Sequence, residues 1–77
     1  MNEQVLDRVR EIASDILRAD VTPESSPETI ASWDSVQHLN LVLALEEEYS
    51  LQFLPEEMDE AKTVGSLARL VSAKRGA

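Results

Sequence analysis

The chain has 77 residues, 43% hydrophobic but only 4% aromatic, with no Cys and a net charge of −8. A single small domain of this size has little room for a deep catalytic cavity, and its core must come from Leu, Val and Ile. Without Cys, disulfides and thiolate metal sites are excluded, and no apolar run is long enough to span a membrane.

The distribution of charge says more than its sum. Lys and Arg are missing between Arg18 and Lys62, while acids recur from Asp20 to Glu60. Such a field repels a phosphate backbone and excludes nucleic acid as a partner; it steers in proteins that carry basic patches. The N-terminus MNEQVLDRVR lacks a signal-peptide pattern, so a cytoplasmic monomer is expected, formed by residues 1–77 as one domain.

Residues 3–18 are predicted to form the first helix, with Val5, Leu6, Val9, Ile12, Ala13, Ile16 and Leu17 at helical spacing and Asn2 as N-cap. From Asp20 to Trp33, two prolines and several Ser and Thr break the pattern into a long loop, with Val21 and Ile30 as its points of attachment to the core. Trp33 reads as a further loop anchor.

The second helix is predicted over residues 35–49, and it carries two apolar arcs. Leu41, Val42, Leu45 and Tyr49 make the broader one, with His38 among them, and are assigned to the core. Val36, Leu39 and Leu43, edged by Asn40, Glu46 and Glu47, are left for a partner or a neighbouring helix. Ser50 to Leu54 is a short connection. Pro55 followed by Glu56 and Glu57 starts a short helix reaching about Ala61, since Pro suits the first helical position and acids suit the positive end. Thr63 caps a last helix with Val64, Leu67, Leu70 and Val71 on one face, and the basic tail SAKRGA is expected to fray. The fold class is therefore all-α: a small four-helix bundle of three main helices and one short one, with a long first loop and no strand.

Ser35 stands out because it opens a helix after the long loop, follows Asp34, and precedes the second apolar arc. Its side chain suits an N-cap, and the same position suits a phosphate-bearing serine, because helix N-termini present free N–H groups and a positive end. Position alone leaves both readings open. A hydrolase built on Ser35 and His38 lacks an oxyanion hole and a third member. A metal site lacks ligands, with one His and no calcium-loop spacing. An acidic helical adaptor that binds a basic partner without a cofactor is the remaining alternative.

Asp34-Ser35-Val36, followed by Leu39 to Tyr49 with LALEEEY, resembles the second helix of acyl carrier proteins. The likeness extends over nearly the whole chain, from the amphipathic first helix and long loop to Leu54-Pro55-Glu56 and Thr63-Val64. It implies a four-helix carrier with no catalysis of its own. In such a carrier Ser35 receives 4′-phosphopantetheine from coenzyme A through a phosphopantetheinyl transferase, and Asp34 is the preceding acid of the motif. The thiol of the arm would hold acyl groups as thioesters, which fits a chain without Cys. Val36, Leu39 and Leu43 would dock acyl-loading and acyl-transferring enzymes, and Glu46 and Glu47 would meet their basic residues. Ser32-Trp33 stands where many members have Gly two residues before the Asp, and Gln37, His38 and Asn40 replace early acids. This Trp-Asp-Ser form is similar to carriers of one specialised fatty acid, polyketide or related pathway, and it lacks the Gly-Gly-x-Ser of peptidyl carriers.

Overall fold

A computed structural model describes residues 3–76 of the chain. Four helices follow one another: α1 (Glu3–Leu17), α2 (Ser35–Tyr49), α3 (Pro55–Glu60) and α4 (Val64–Gly76), with no strand among the described residues. Asn2, expected as the cap of α1, lies outside the described residues.

The apolar stripe of α1 buries Val5, Val9, Ile12, Ala13 and Leu17, which meet Leu41, Val42 and Leu45 of α2 and Val64, Leu67, Ala68 and Val71 of α4. α1 packs against both α4 and α2, whereas α2 touches α4 more sparingly. Tyr49, assigned to the core stripe, is only half-buried; its ring lies under the Arg75 guanidinium, 5.2 Å from centroid to carbon.

Periodicity carries α1 one residue too far. Arg18 has φ 54° and so terminates the helix in the left-handed region, as Ser50 does after α2. The Ser50 N–H bonds the Glu46 carbonyl, and the Leu51 N–H bonds the same oxygen at 3.1 Å. At the other end of the chain, the tail expected to fray is helical to Gly76, with Ala77 outside the described residues. Lys74 supplies one reason: its Nζ lies 2.8 Å from Glu57 Oε1 and 5.9 Å from the Phe53 ring centroid.

α3 is a different kind of helix, with no fully buried residue. Buried Phe53 and Ala61 flank it, and Glu57 braces its start by accepting the Leu54 N–H at 2.7 Å. That hydrogen bond, and then Lys74, hold the Glu57 carboxyl below its ordinary range. α4 opens on Thr63, whose Oγ1 accepts the Ser66 N–H at 3.0 Å while Ser66 Oγ accepts the Thr63 N–H at 2.9 Å.

The long loop is tied down along its length. Its Pro23 carbonyl accepts the Gly65 N–H at 2.8 Å and its Ser25 carbonyl accepts the Val64 N–H at 3.2 Å, so the free donors of the first turn of α4 are used to hold it. A Cβ on Gly65 would lie 3.0 Å from the Pro23 oxygen, which explains a glycine inside a helix at this point. Ser32 Oγ donates to the Leu17 carbonyl at 2.7 Å, one of the orphan acceptors at the end of α1. Val21 and Trp33 are buried and Ile30 is partly so.

Leu45 is fully buried at the centre of the α1–α2 contact. Leu45→Ala is expected to cost about 2–5 kcal/mol; in a domain this small, thermal denaturation followed by circular dichroism should show Tm falling by roughly 10 °C or more.

Candidate functional site

The helix that carries Ser35 is capped by its neighbour. Asp34 has extended backbone, and its Oδ1 accepts the Gln37 N–H at 2.9 Å, while its carbonyl accepts the His38 N–H at 2.8 Å. Asp34 is therefore the N-cap and Ser35 the first helical residue, so of the two readings that position left open the capping one does not hold. The difference is chemical. A capping Ser35 would spend its hydroxyl on a backbone donor, whereas here that hydroxyl is exposed and bonds to no other described residue. The N–H groups of Ser35 and Val36 also precede the first intrahelical bond, and no acid stands in the first turn of α2.

Beside Ser35 runs an open groove of about 820 Å³. The loop contributes Ser26 and Glu28 to its lining, α3 contributes Pro55, Met58 and Asp59, and Trp33, Asp34, His38 and Leu39 line it from the start of α2. A flexible, mostly neutral chain attached at Ser35 fits this setting: the hydroxyl is free, unpaired N–H groups lie next to it, and apolar and polar surface runs away from it.

Trp33 and His38, which the sequence marks only as a loop anchor and a helix residue at the edge of the core or of the docking face, are joined. The Trp33 indole, 2% exposed, donates its N–H to His38 Nδ1 at 3.0 Å, with the two rings stacked 5.9 Å apart. Since Nδ1 accepts, the proton of the neutral imidazole is on Nε2, which donates to the Met58 carbonyl at 2.9 Å. No residue-type pattern could have announced this arrangement, because Met58 takes part through its backbone and lies on another helix.

The second arc of α2 faces outward. Val36, Leu39 and Leu43 are 66%, 50% and 51% exposed, and Leu54 before α3 is 57% exposed. The acids beside the arc have separate roles. Glu46 Oε2 accepts the Phe53 N–H at 2.7 Å, which fixes the α2–α3 connection. Glu48 bonds Arg8 through both oxygens, at 3.1 and 3.2 Å, which lowers its carboxyl pKa and raises that of the guanidinium. Glu47, of these three, is exposed and makes no bond to another described residue.

Residues 7–71 match the family model described as "Phosphopantetheine attachment site". The acyl carrier protein of Picosynechococcus is 31% identical over 80 residues, covering 100% of this chain and 99% of that protein. That of Thermosynechococcus vestitus is 33% identical over 78 residues, covering 96% of each. Among solved structures, holo acyl carrier protein from Geobacter metallireducens superposes with a TM-score of 0.83 at 35% identity, covering 94% of this chain and 86% of that one. A structure from Mycobacterium tuberculosis shares the fold at 22% identity, with a TM-score of 0.81 and 91% and 97% coverage.

Asp34→Ala removes the cap of α2 and is expected to cost about 1 kcal/mol, while Asp34→Asn keeps an acceptor and most of that stability. Chemical denaturation of the two variants checks this; equal midpoints would contradict the assignment of Asp34 as the cap.

Proposed function

The chain belongs to the acyl carrier protein family, and on that premise we propose that Ser35 is the residue on which it bears 4′-phosphopantetheine. The family carries acyl groups on this cofactor and does not itself catalyse their chemistry, so what needs derivation is how this chain presents the arm. One observation supports Ser35 above all: Asp34 takes over the capping of α2, leaving an exposed and unengaged hydroxyl at the positive end of a 15-residue helix.

Ser35 Oγ is the nucleophile toward coenzyme A on a phosphopantetheinyl transferase: it gives up its proton, a P–O bond forms at the serine, and the pyrophosphate P–O bond of coenzyme A breaks, with adenosine 3′,5′-bisphosphate leaving. The resulting negative phosphodiester sits where the α2 dipole and the Ser35 and Val36 N–H groups favour it, worth about 0.3–1 kcal/mol at such an exposed helix end. Once attached, the arm supplies a thiol that holds an acyl group as a thioester. Exposure of Ser35 allows both the transferase and the acyl enzymes to reach the attachment point.

The outward arc of α2 is the docking surface of this reading. Val36, Leu39 and Leu43 offer apolar contact beside the attachment point, and Glu47 offers an uncommitted carboxylate to Lys or Arg on a partner. Glu46 keeps one oxygen on the Phe53 N–H, so its part in docking is shared with an internal one. The first turn of α2 lacks acids, and His38 and Gln37 take positions near Ser35, which supports service to one specialised fatty acid, polyketide or related pathway.

The pure protein, incubated with coenzyme A and a broad-specificity transferase, should gain one phosphopantetheine by intact mass, and Ser35→Ala should gain none. Modification of Ser35→Ala would move the attachment elsewhere. For docking, Leu39→Ala and Glu47→Lys are each expected to slow modification or acyl loading about 3- to 30-fold, the range for one interface contact of moderate strength, with circular dichroism unchanged. Unaltered rates in both would count against this face of α2.

A further inference from the structure

His38 spans the groove beside Ser35. One ring nitrogen accepts from Trp33, the last residue of the loop before the cap, and the other donates to the Met58 carbonyl in α3. That carbonyl is one of the last four of a six-residue helix and has no intrahelical partner to take. The Lys62 N–H, which would continue the ladder to it, bonds the Glu60 carbonyl instead.

α3 depends on such contacts more than the other helices do. It buries no residue completely, Met58 is only half-covered, and Glu57 with Lys74 holds its start rather than its middle. The helix that lines part of the groove is thus held at its centre by the His38 bond, and the loop that lines another part is tied to the same imidazole through Trp33.

Resting on the reading of Ser35 as the attachment point, we propose that His38 is a positioning residue for the loading of Ser35, holding the loop and α3 in place beside the outward arc of α2 so that the transferase meets one ordered surface. It does not touch the reacting atoms. Without it α3 and the loop sample further arrangements, and the fraction of carrier in the docked geometry falls, which weakens apparent binding in proportion. The chemical step at Ser35 Oγ, once the complex forms, is unchanged.

The test compares the full chain with His38→Phe, His38→Gln and Trp33→Phe. Gln keeps an amide donor for the Met58 carbonyl, Phe at 38 keeps neither bond, and Phe at 33 loses the indole donor together with part of a buried ring. In His38→Phe the KM for the carrier in modification should rise about 2- to 10-fold, the factor that one neutral hydrogen bond commands, with kcat unchanged. The Met58 and Ala61 amides, which bond the Leu54 and Glu57 carbonyls, should exchange faster by a similar factor, while those of α1 and α4 keep their rates. His38→Gln should recover the α3 protection. An unchanged KM with unchanged α3 exchange overturns the proposal, as does a loss confined to kcat or an acceleration spread evenly over all helices. If His38→Phe does not fold, His38→Asn, which keeps an acceptor for the indole but stops short of the Met58 carbonyl, decides by the same two readings. A wild-type chain that the transferase leaves unmodified refutes the carrier reading of Ser35 instead, and the exchange of α3 still judges the tie.

Discussion

Burial of Trp33 is the constraint on which the rest of this molecule depends. The crossover from α1 to α2 is long and rich in Ser, Thr and Pro, and it has little apolar surface with which to hold itself against the bundle. Its last large side chain goes inside, and everything beyond is placed by that event. Asp34 falls at the mouth of α2, its carboxylate captures the Gln37 N–H, and Ser35 emerges as the first helical residue with its hydroxyl in solvent. Burying an indole also creates an obligation, since its N–H must find an acceptor inside. His38 meets it, and the tautomer this enforces hands a donor on to α3. One apolar anchor thereby sets the loop, the helix start and the third helix.

The acidic character of the chain resolves into distinct roles once the side chains have partners. Asp34 caps a helix, Glu46 holds the link to α3, Glu48 joins α2 to α1 through Arg8, and Glu57 braces the start of α3 and receives Lys74. These four acids, which look in one dimension like part of a uniform field for a basic partner, are thus spent within the fold. Glu47 is left free beside the exposed Val36, Leu39 and Leu43, so the part of α2 available for recognition is narrower and more apolar than the composition suggests. A contact of that kind depends on shape and on a single charge more than on general attraction.

Legibility followed period and punctuation. The stripes of α1 and α4, the start of α3 at Pro55 and the Thr63 cap are local signals, and each is where spacing and residue type put it. Two arcs on α2 could be separated because burial needs only one of them. Two of the departures involve a group supplied from elsewhere in the chain, and the third is a local backbone turn. Lys74 keeps the basic tail helical by reaching Glu57, Arg75 lies over the ring of the half-buried Tyr49, and the left-handed Arg18 ends α1 one residue before its predicted end. Backbone carbonyls such as those of Met58, Leu17 and Pro23 have no signature in the sequence at all, yet they are the acceptors that tie the loop and α3 in place.

By itself the sequence determined the helical class, the order of the helices, the isolation of Ser35 at a helix start, and the resemblance to carriers. All of these rest on short-range periodicity and on residue types that act near where they stand. Only the tertiary structure decided which residue caps α2, which glutamate stays free, and what Trp33 and His38 do. Those outcomes turn on which donor meets which acceptor, some near in the chain, as Asp34 and Gln37, and some far, as Arg8 with Glu48 and His38 with Met58. Each is committed only when folding brings its partner within about 3 Å.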